Sequence, residues 1–282
     1  MTIIDIDIAG PFRIIGLKGE RFFMTITCRA SRAIWIYPIK HKSDALDVLI
    51  QFYTLIEVQF EVKILVIRLD NAQEFKSNQW TKFCTNKGII CEYTSPYTPN
   101  QNGIAERLNR FIIERLISVC SEKSIPLKLW PYLVQAIAHI KNRTYNSIIK
   151  KTPYEALTKT KPNLSYIRVL GSLTYILEYK EVRNKTSLGK LAYKANKGIL
   201  VGFKSSKNFL VYIPSTSQVV DTSSIDIKED LIYKDDYIIE EDCSNLLEES
   251  SPDYDYVKPY SRQSSSSSNT RPVVEIPAYR PS

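Results

Sequence analysis

The sequence predicts an α/β fold: a mixed five-stranded sheet with flanking helices, then a small, mostly β barrel domain and a disordered tail. Three observations predict it. Strand-like and helix-like segments alternate over residues 1–145, short strand-like runs dominate over 166–232, and 233–282 are acidic and then Ser- and Pro-rich. A chain of 282 residues has room for one domain of ordinary size and a smaller one.

Three strands begin the predicted sheet. Residues 2–8 alternate strictly between apolar and polar side chains, which places Asp5 and Asp7 on the same face of the first strand. Residues 21–27 and 33–39 form two further strand-like runs around a short turn. We therefore expect an antiparallel meander.

Two more strands follow on helical crossovers. A helix over 43–57, capped by Ser43, precedes an apolar run over 62–69 that ends at Asp70 and is typical of a strand covered on both faces. The predicted buried stripe of that helix is Ala45, Leu46, Leu49, Ile50, Tyr53 and Ile56. The remaining core elements are a helix over 77–87 closed by Gly88, a strand over 89–93, a helix carrying Glu106, and a helix over 127–142. This order is that of the ribonuclease-H-like fold.

Glu106 lies at the start of its predicted helix. A polar loop over 98–103 leads into the helix, and Asn100 or Asn102 is expected to cap it. The apolar stripe leaves Glu106 on a different face. A structural explanation also exists, because the helix dipole favours a carboxylate in the first turn.

Composition narrows the class of protein. The five cysteines, Cys28, Cys84, Cys91, Cys120 and Cys243, contain no C-x-x-C pair and only two histidines accompany them, which argues against a disulfide framework and a zinc site. No apolar run approaches the roughly 20 residues of a membrane helix, and no signal-peptide pattern begins the chain. We expect a soluble, intracellular protein without a membrane partner.

Charge is distributed unevenly along the chain. Residues 1–220 hold 32 Lys and Arg against 16 Asp and Glu, whereas 221–256 hold 2 against 13. A basic body suits a polyanionic partner, although plain solubility is an alternative explanation. Residues 141–207 alone carry 15 Lys and Arg against 3 acids, with Tyr145, Tyr166, Tyr175 and Tyr193 interleaved. These tyrosines belong either to a nucleic-acid-binding surface or to the barrel core.

Four parts of the chain are predicted. Residues 1–145 form the α/β core, 146–165 a connecting helix and linker, 166–232 the small barrel, and 233–282 a disordered linker. Within the barrel, strand-like runs cover 167–177, 197–203, 209–213 and 218–227.

Three local patterns carry a family resemblance. They are Asp7-Ile8-Ala9-Gly10-Pro11, Arg68 to Phe75 around Asp70, and Ser95 to Arg110 around Glu106, with 35 residues between Asp70 and Glu106. In this order and spacing the chain resembles the integrases of copia-type (Pseudoviridae-like) LTR retrotransposons, a branch of the Asp-Asp-Glu polynucleotidyl transferases. Residues 168–171 and 197–203 match the small β-barrel domain of that family.

The resemblance implies a chemistry. Asp7, Asp70 and Glu106 would be the catalytic residues and would hold two Mg²⁺ or Mn²⁺ ions, with Asp7 bridging them and Asp5 as the alternative first acid. The implied reactions are 3′-end processing of the element's DNA and strand transfer into target DNA. A catalytically inactive relic that still binds nucleic acid is the alternative, and a cut-and-paste transposase a third possibility.

Contacts to DNA are expected from Asn71, Gln101, Asn102, Arg107 and Arg110, with Gln101, Asn102 and Gly103 in a mobile loop. Turn chemistry alone would also explain Asn71 and that loop. Ala72 occupies a position where most relatives have glycine, so a turn of positive φ would be strained there.

Further expectations concern partners and context. The resemblance implies DNA as partner, possibly RNA, a homo-oligomer, and a nuclear location with assembly in cytoplasmic particles in the full element. Copia-type integrases normally carry a zinc module ahead of the core; because the first strand begins almost at Met1, we expect this chain to lack it.

Overall fold

The structure is a computed structural model that describes residues 2–93, 99–177 and 195–233. Ten strands and five α-helices are assigned within these ranges. The elements of the first part are β1 (Thr2–Ala9), β2 (Phe22–Cys28), β3 (Ile34–Ile39), α1 (Ala45–Phe60), β4 (Ile64–Leu69), α2 (Asn78–Lys87), β5 (Ile90–Tyr93), α3 (Pro99–Lys123) and α4 (Trp130–Arg143). Those of the second part are α5 (Pro153–Thr158), β6 (Ser172–Leu177), β7 (Ala195–Phe203), β8 (Phe209–Ile213), β9 (Gln218–Thr222) and β10 (Ile225–Ile232).

The first sheet has the strand order β3-β2-β1-β4-β5. β1, β2 and β3 pair antiparallel, whereas β4 lies parallel to β1 and β5 parallel to β4. The mixed five-stranded sheet is therefore confirmed. Because β1 and β4 are neighbours, the strand that contains Asp7 and the strand that ends before Asp70 lie side by side.

The first crossover helix differs from its prediction. A 3₁₀ turn at Lys42–Asp44 precedes α1, so Ser43 lies inside that turn and does not cap the helix. The buried stripe of α1 is Ala45, Val48, Leu49, Phe52, Tyr53 and Ile56. Ile50, predicted to be buried, is 40% exposed. The stripe that packs on the sheet is rotated towards Val48 and Phe52, which the apolar pattern alone did not distinguish from Leu46 and Ile50.

Two helix ends show how the sequence sets element boundaries. The Ser77 side chain accepts a hydrogen bond from the Trp80 amide at the start of α2, and Gly88, at φ 67°, closes it as predicted. α3 begins earlier than predicted, at Pro99, so the expected loop over 99–103 is helical and neither Asn100 nor Asn102 caps it from outside. Proline is well suited to a first helical turn because its missing N–H would have no partner there.

A second β region follows where the small barrel was predicted, and its described strands form a sheet of all-antiparallel order β10-β6-β7-β8-β9. Its buried face does not form a core of its own. Leu200 and Tyr212 belong to the same apolar cluster as Trp130, Leu133 and Leu116 of the helices. A separate cluster packs α1 and α2 against the opposite face of the first sheet. The described residues form one compact unit, and the predicted domain boundaries stay a prediction.

The tyrosines between residues 141 and 207 differ in how far they are buried. Tyr166 is 8% exposed and lies in the core shared with Phe203, whereas Tyr145 is 64% exposed. Tyr193 and the predicted disordered tail over 234–282 lie outside the described residues. Within the described ranges, no helix has the length and hydropathy needed to cross a membrane.

Candidate active site

Asp7 lies near the end of β1, in register with Thr25 of β2. Its Oδ1 accepts a hydrogen bond from the Ile8 amide at 2.9 Å, and its Oδ2 accepts one from Asn109 Nδ2 at 2.7 Å. Asn109 is 1% exposed and belongs to α3. The carboxylate is therefore fixed by both its own strand and the helix that carries Glu106.

Asp70 directly follows β4. Its Oδ1 accepts a hydrogen bond from the Ala72 amide at 3.2 Å, which is the Asx-turn arrangement expected of an aspartate at a strand end. Ala72 has φ −63° and ψ 147°, an ordinary extended conformation. The predicted strain at Ala72 is therefore wrong, because this turn does not require positive φ. Asn71 between them is exposed.

Glu106 is exposed on α3, one turn before Asn109. The charge of Glu106 affects Asp7. The pKa of Asp7 is raised to about 6, first by burial and then by repulsion from Asp70 and Glu106. The hydrogen bond from the Ile8 amide and the charge of Lys42 act in the opposite direction and lower it. Burial is also the main cause that raises the pKa of Asp70. Asp70 and Glu106 therefore both lie near enough to Asp7 for their charges to raise its pKa.

Lys42 is a cation at this site that sequence reasoning missed. It lowers the pKa of both Asp7 and Asp70, and its Nζ forms an ion pair with Glu74 Oε1 at 3.2 Å. Asn109 was also missed. Neither residue carries a local signal in the sequence, since each reaches the site only through packing of α1 and α3 against the sheet.

Asp5, the alternative first acid, has a different environment. It is 4% exposed on the central strand β1, and its two carboxylate oxygens accept hydrogen bonds from Arg29 Nε and Nη2 at 2.7–3.0 Å. A bidentate ion pair of this kind already satisfies the carboxylate. Asp5 is therefore less free than Asp7 to bind another group.

The structure describes the side chains of only some residues predicted to contact DNA. Arg107 and Arg110 are exposed on α3 beside Glu106. The side chains of Gln101 and Asn102 lie outside the described residues. Further along α3, the ring of Phe111 lies 4.0 Å from Lys141 Nζ and 5.4 Å from Arg115 Cζ, which adds a cationic cluster that the sequence analysis did not predict.

The donor chemistry of the three acids fits a divalent cation. Carboxylate oxygens are the hard ligands that Mg²⁺ and Mn²⁺ prefer, and Mg²⁺ commonly uses one or two carboxylates together with water and phosphate. A positive ion would also relieve the repulsion that raises the pKa of Asp7. In residues 2–93, 99–177 and 195–233, no group of three or more His, Cys, Asp or Glu is close enough to hold an ion by itself.

A cleft of about 350 Å³ lies elsewhere, between β3 and the helices α4 and α5. None of the three acids lines it. Asn142 of α4 hydrogen-bonds both the amide and the carbonyl of Ile34 there, at 2.8 and 2.7 Å, and so covers part of the edge of β3. The cleft is therefore not the candidate active site.

Comparison with known proteins agrees with this fold. Residues 1–99 match the family model described as Integrase core domain. The matched residues include all five strands of the first sheet.

Two relatives of known type are similar to this chain over a longer stretch than the family model. The chain is 31% identical over 189 residues, 66% of its length, to the retrovirus-related Pol polyprotein from transposon TNT 1-94 of Nicotiana tabacum. It is 32% identical over 163 residues, 57% of its length, to that from transposon RE1 of Arabidopsis thaliana. Both relatives are retrovirus-related Pol polyproteins of copia-type retrotransposons, which confirms the resemblance read from the sequence. The matches span 14% and 11% of these two relatives.

Solved structures with a similar fold include the integrase catalytic core domain of HTLV-2 in complex with magnesium, in a trimeric form. It has a TM-score of 0.42 and 20% identity, and the match covers 55% of this chain and 95% of that one. The catalytic core domain of BIV integrase has a TM-score of 0.40 and 18% identity, covering 56% and 93%. The fold assignment here follows from the strand order of the first sheet.

Proposed function

We propose that this chain is the part of a retrotransposon integrase that performs divalent-metal-dependent 3′-end processing and strand transfer of DNA. One observation supports it most: Asp70 and Glu106 both repel the charge of Asp7, in a chain whose residues 1–99 match an integrase core domain. A buried carboxylate that two other carboxylates repel, as Asp7 is, is suited to neutralisation by a cation.

Mg²⁺ or Mn²⁺ is the proposed cofactor, held by Asp7, Asp70 and Glu106. Held there, two such ions would supply positive charge that stabilises both the entering and the departing oxygen of an in-line displacement at phosphorus. The entering group is water in 3′-end processing and the freed 3′-hydroxyl in strand transfer. Zinc and RNA are not part of the proposal.

Each protein group has a defined part in this proposal. Asn109 and the Ile8 amide orient the carboxylate of Asp7, and the Ala72 amide orients that of Asp70. A carboxylate oxygen that accepts one N–H keeps a further lone pair for a cation. Lys42 offsets part of the negative charge of Asp7 and Asp70.

DNA would reach these acids along α3. Arg107 and Arg110 are exposed next to Glu106 and suit phosphate oxygens, and Asn71 is exposed beside Asp70. Arg115 and Lys141, which flank Phe111, extend the cationic surface along the helix. Salt-sensitive binding of the DNA backbone is the expected behaviour of such a surface.

A strand-transfer assay tests the proposal. Asp70→Asn and Glu106→Gln should abolish Mn²⁺-dependent joining of an oligonucleotide that carries an element end, while leaving DNA binding unchanged. Glu114→Gln, an exposed glutamate further along α3, is the matched control and should join at the wild-type rate. Joining that survives in Asp70→Asn would overturn the proposal. Inactivity of a folded, DNA-binding wild type would instead favour the relic.

Assembly as a homo-oligomer and a nuclear location belong to the same proposal. Both rest on the family to which the integrase core domain belongs. Sedimentation of the chain with and without DNA ends tests the first, and microscopy of a tagged element tests the second.

A further inference from the structure

Lys42 lies at the end of the first sheet where the acids are. The end of β1 lies beside the start of β2, and the start of β2 lies beside the end of β3. Lys42 follows β3 by three residues, in the 3₁₀ turn that precedes α1. Because β4 runs parallel to β1, Asp70 leaves the sheet at the same end as Asp7. The strand directions alone therefore place Lys42 on the side of the molecule that presents both aspartates.

Two contacts hold the Lys42 side chain in place. Its Nζ forms an ion pair with Glu74 Oε1 at 3.2 Å and lies 5.9 Å from the centroid of the Phe22 ring. Phe22 begins β2, and Glu74 belongs to the 3₁₀ turn that follows Asp70. The ammonium is therefore held between the start of β2 and the turn after Asp70.

Further contacts anchor the two turns that carry this pair. Asp44 Oδ2 accepts hydrogen bonds at 3.2 and 3.0 Å from the amides of the two residues before Lys42. Phe75, which follows Glu74, is 0% exposed, and its carbonyl accepts a hydrogen bond from the Tyr93 hydroxyl at 2.9 Å. A side chain presented from anchored turns loses less conformational freedom when it binds a ligand, so the Lys42 ammonium is preorganised.

A further ligand can still reach the Lys42 ammonium. The side chain is 45% exposed, and Glu74 is the one acid with which it forms an ion pair in the part of the chain that the structure describes. An ammonium offers three N–H donors. With one of them directed at Glu74, the others remain for an acceptor from solvent, and phosphate oxygens are the acceptors that lysine commonly binds in nucleic acids.

We propose that Lys42 binds a phosphodiester of the DNA end held at the acids, and that Glu74 positions Lys42 for this contact. The inference rests on the proposed function, since it requires DNA at Asp7 and Asp70. The charge of Lys42 acts on both aspartates and lowers their pKa. A phosphate that approaches these carboxylates meets charge of its own sign, and a preorganised cation offsets part of the repulsion. Lys42 is thus a substrate-binding residue, and the three acids remain the proposed metal ligands.

A methylphosphonate scan of an element-end duplex tests the contact on the full chain without requiring catalysis. Each duplex replaces one charged phosphate near the end by an uncharged methylphosphonate, and fluorescence anisotropy measures binding with Ca²⁺, which takes oxygen ligands as Mg²⁺ does. The change at the contacted phosphate should weaken binding of wild type roughly tenfold. In Lys42→Gln the same change should have little further effect, because its partner is already absent. If every position weakens Lys42→Gln as much as wild type, the proposal is overturned.

Three further variants make the scan specific. Lys40→Gln removes an exposed lysine two residues earlier and should respond to every methylphosphonate as wild type does. Lys42→Arg keeps a cation and should retain most of the sensitivity at the contacted position. Glu74→Gln frees the ammonium from its anchor and should reduce that sensitivity without abolishing it. A Lys40→Gln variant that loses the same sensitivity would overturn the proposal, because the effect would then reflect general charge.

Direct titration of Mn²⁺ separates substrate binding from a purely structural role. Lys42→Gln removes a positive charge beside the acids, so the Mn²⁺ affinity of the folded chain without DNA, measured by calorimetry, should be unchanged or higher. The joining rate at saturating Mn²⁺ should nevertheless fall at least about tenfold. Weaker Mn²⁺ binding by Lys42→Gln would mean that Lys42 only holds the turn after Asp70, and would overturn the proposal. Because the scan measures binding, its result is independent of whether the wild type joins DNA.

Discussion

Asn109 Nδ2 donates a hydrogen bond to Asp7 Oδ2 at 2.7 Å, joining residues that lie 102 positions apart. The contact ties the first strand to the helix that presents Glu106. Asn109 Oδ1 is buried and has no hydrogen-bond partner among the described residues. An amide that leaves one of its polar atoms unsatisfied in order to hold a carboxylate is a candidate positioning residue for the acids.

Asn109→Ala should therefore impair catalysis more than folding. Without the amide, the carboxylate of Asp7 loses its fixed orientation relative to Glu106, and losses of about 10–100-fold are typical when a group that orients a metal ligand is removed. Mn²⁺-dependent strand transfer measures the effect, and titration of Mn²⁺ should show a weaker apparent affinity. Unchanged joining and Mn²⁺ dependence would mean that Asn109 is only a structural residue.

The two aspartates of β1 should respond in opposite ways. Asp5→Asn breaks the bidentate pair with Arg29 and leaves that guanidinium only partly satisfied, so a loss of about 2–4 kcal/mol in unfolding free energy is expected. Joining activity per folded molecule should persist. Asp7→Asn should abolish joining at little cost in stability, because burial and repulsion already disfavour its charge. Urea denaturation and the joining assay measure the two effects; an active Asp7→Asn would reassign the first acid.

Much of the core could be predicted from the sequence because the signals are local. Strict alternation in β1 fixes the shared face of Asp5 and Asp7, and the apolar run of β4 places Asp70 at a strand end. Ser77 and Gly88 delimit α2 as expected. These features need only neighbouring residues.

What could not be predicted depends on packing between distant elements. Alternation could not show that Arg29 satisfies Asp5, nor that Asn109 and Lys42 reach the acids. The comparison of Ala72 with glycine in relatives suggested strain, but the conformation of a turn is set by its hydrogen bonds, and here φ is negative. A shared core between the second sheet and α4 has no periodic signature in the sequence.

The cationic cluster around Phe111, which joins Arg115 of α3 to Lys141 of α4, should contribute to DNA binding through charge alone. Arg115 and Lys141 flank Phe111, and neither forms an ion pair within the described ranges; burial and then Arg115 lower the pKa of Lys141. Replacing both with glutamine should weaken binding for every DNA sequence and reduce the slope of log K against log salt by about 2. Fluorescence anisotropy at several salt concentrations measures the slope.

Lys82→Gln is the matched control for that experiment. Lys82 is exposed on α2, which packs on the opposite face of the first sheet from α3. Its removal should leave the slope within experimental error of wild type. An equal change for both variants would show that the effect reflects net charge and not a binding surface.

His139 should make the fold sensitive to acid. Its Nε2 lies 2.7 Å from the Tyr166 hydroxyl and its ring stacks on Phe203; burial first, and then Arg143, lower its pKa from 6.5 to about 4. The folded state therefore holds fewer protons than the unfolded state between these values, so stability falls as pH falls from 6.5 towards 4. The loss is about 1–3 kcal/mol. The urea midpoints of wild type and His139→Phe should therefore approach each other as the pH falls through this range. His41→Gln changes an exposed histidine and should show the same pH dependence as wild type.

Gly171 should be required for the close packing of the second sheet against the end of α3. Its φ is 83°, and an added Cβ would lie 2.5 Å from Lys123 Cβ and 2.9 Å from Ile125 Cδ1. Its amide also donates to the Leu200 carbonyl at 2.8 Å, so the backbone there cannot readily shift. Gly171→Ala combines overpacking with an unfavourable φ and should cost about 2–4 kcal/mol of unfolding free energy.

Gly88→Ala separates the two contributions to that cost. Gly88 also has positive φ, 67°, but an added Cβ would meet no atom within 4 Å. Its replacement should therefore cost only about 1 kcal/mol, the penalty of placing an L-residue in the left-handed region. Urea denaturation of the two variants gives the difference directly. If both changes cost the same, steric fit between Gly171 and Lys123 does not contribute to holding the second sheet against α3, and the shared core must be maintained by apolar packing around Trp130 and Leu200 alone.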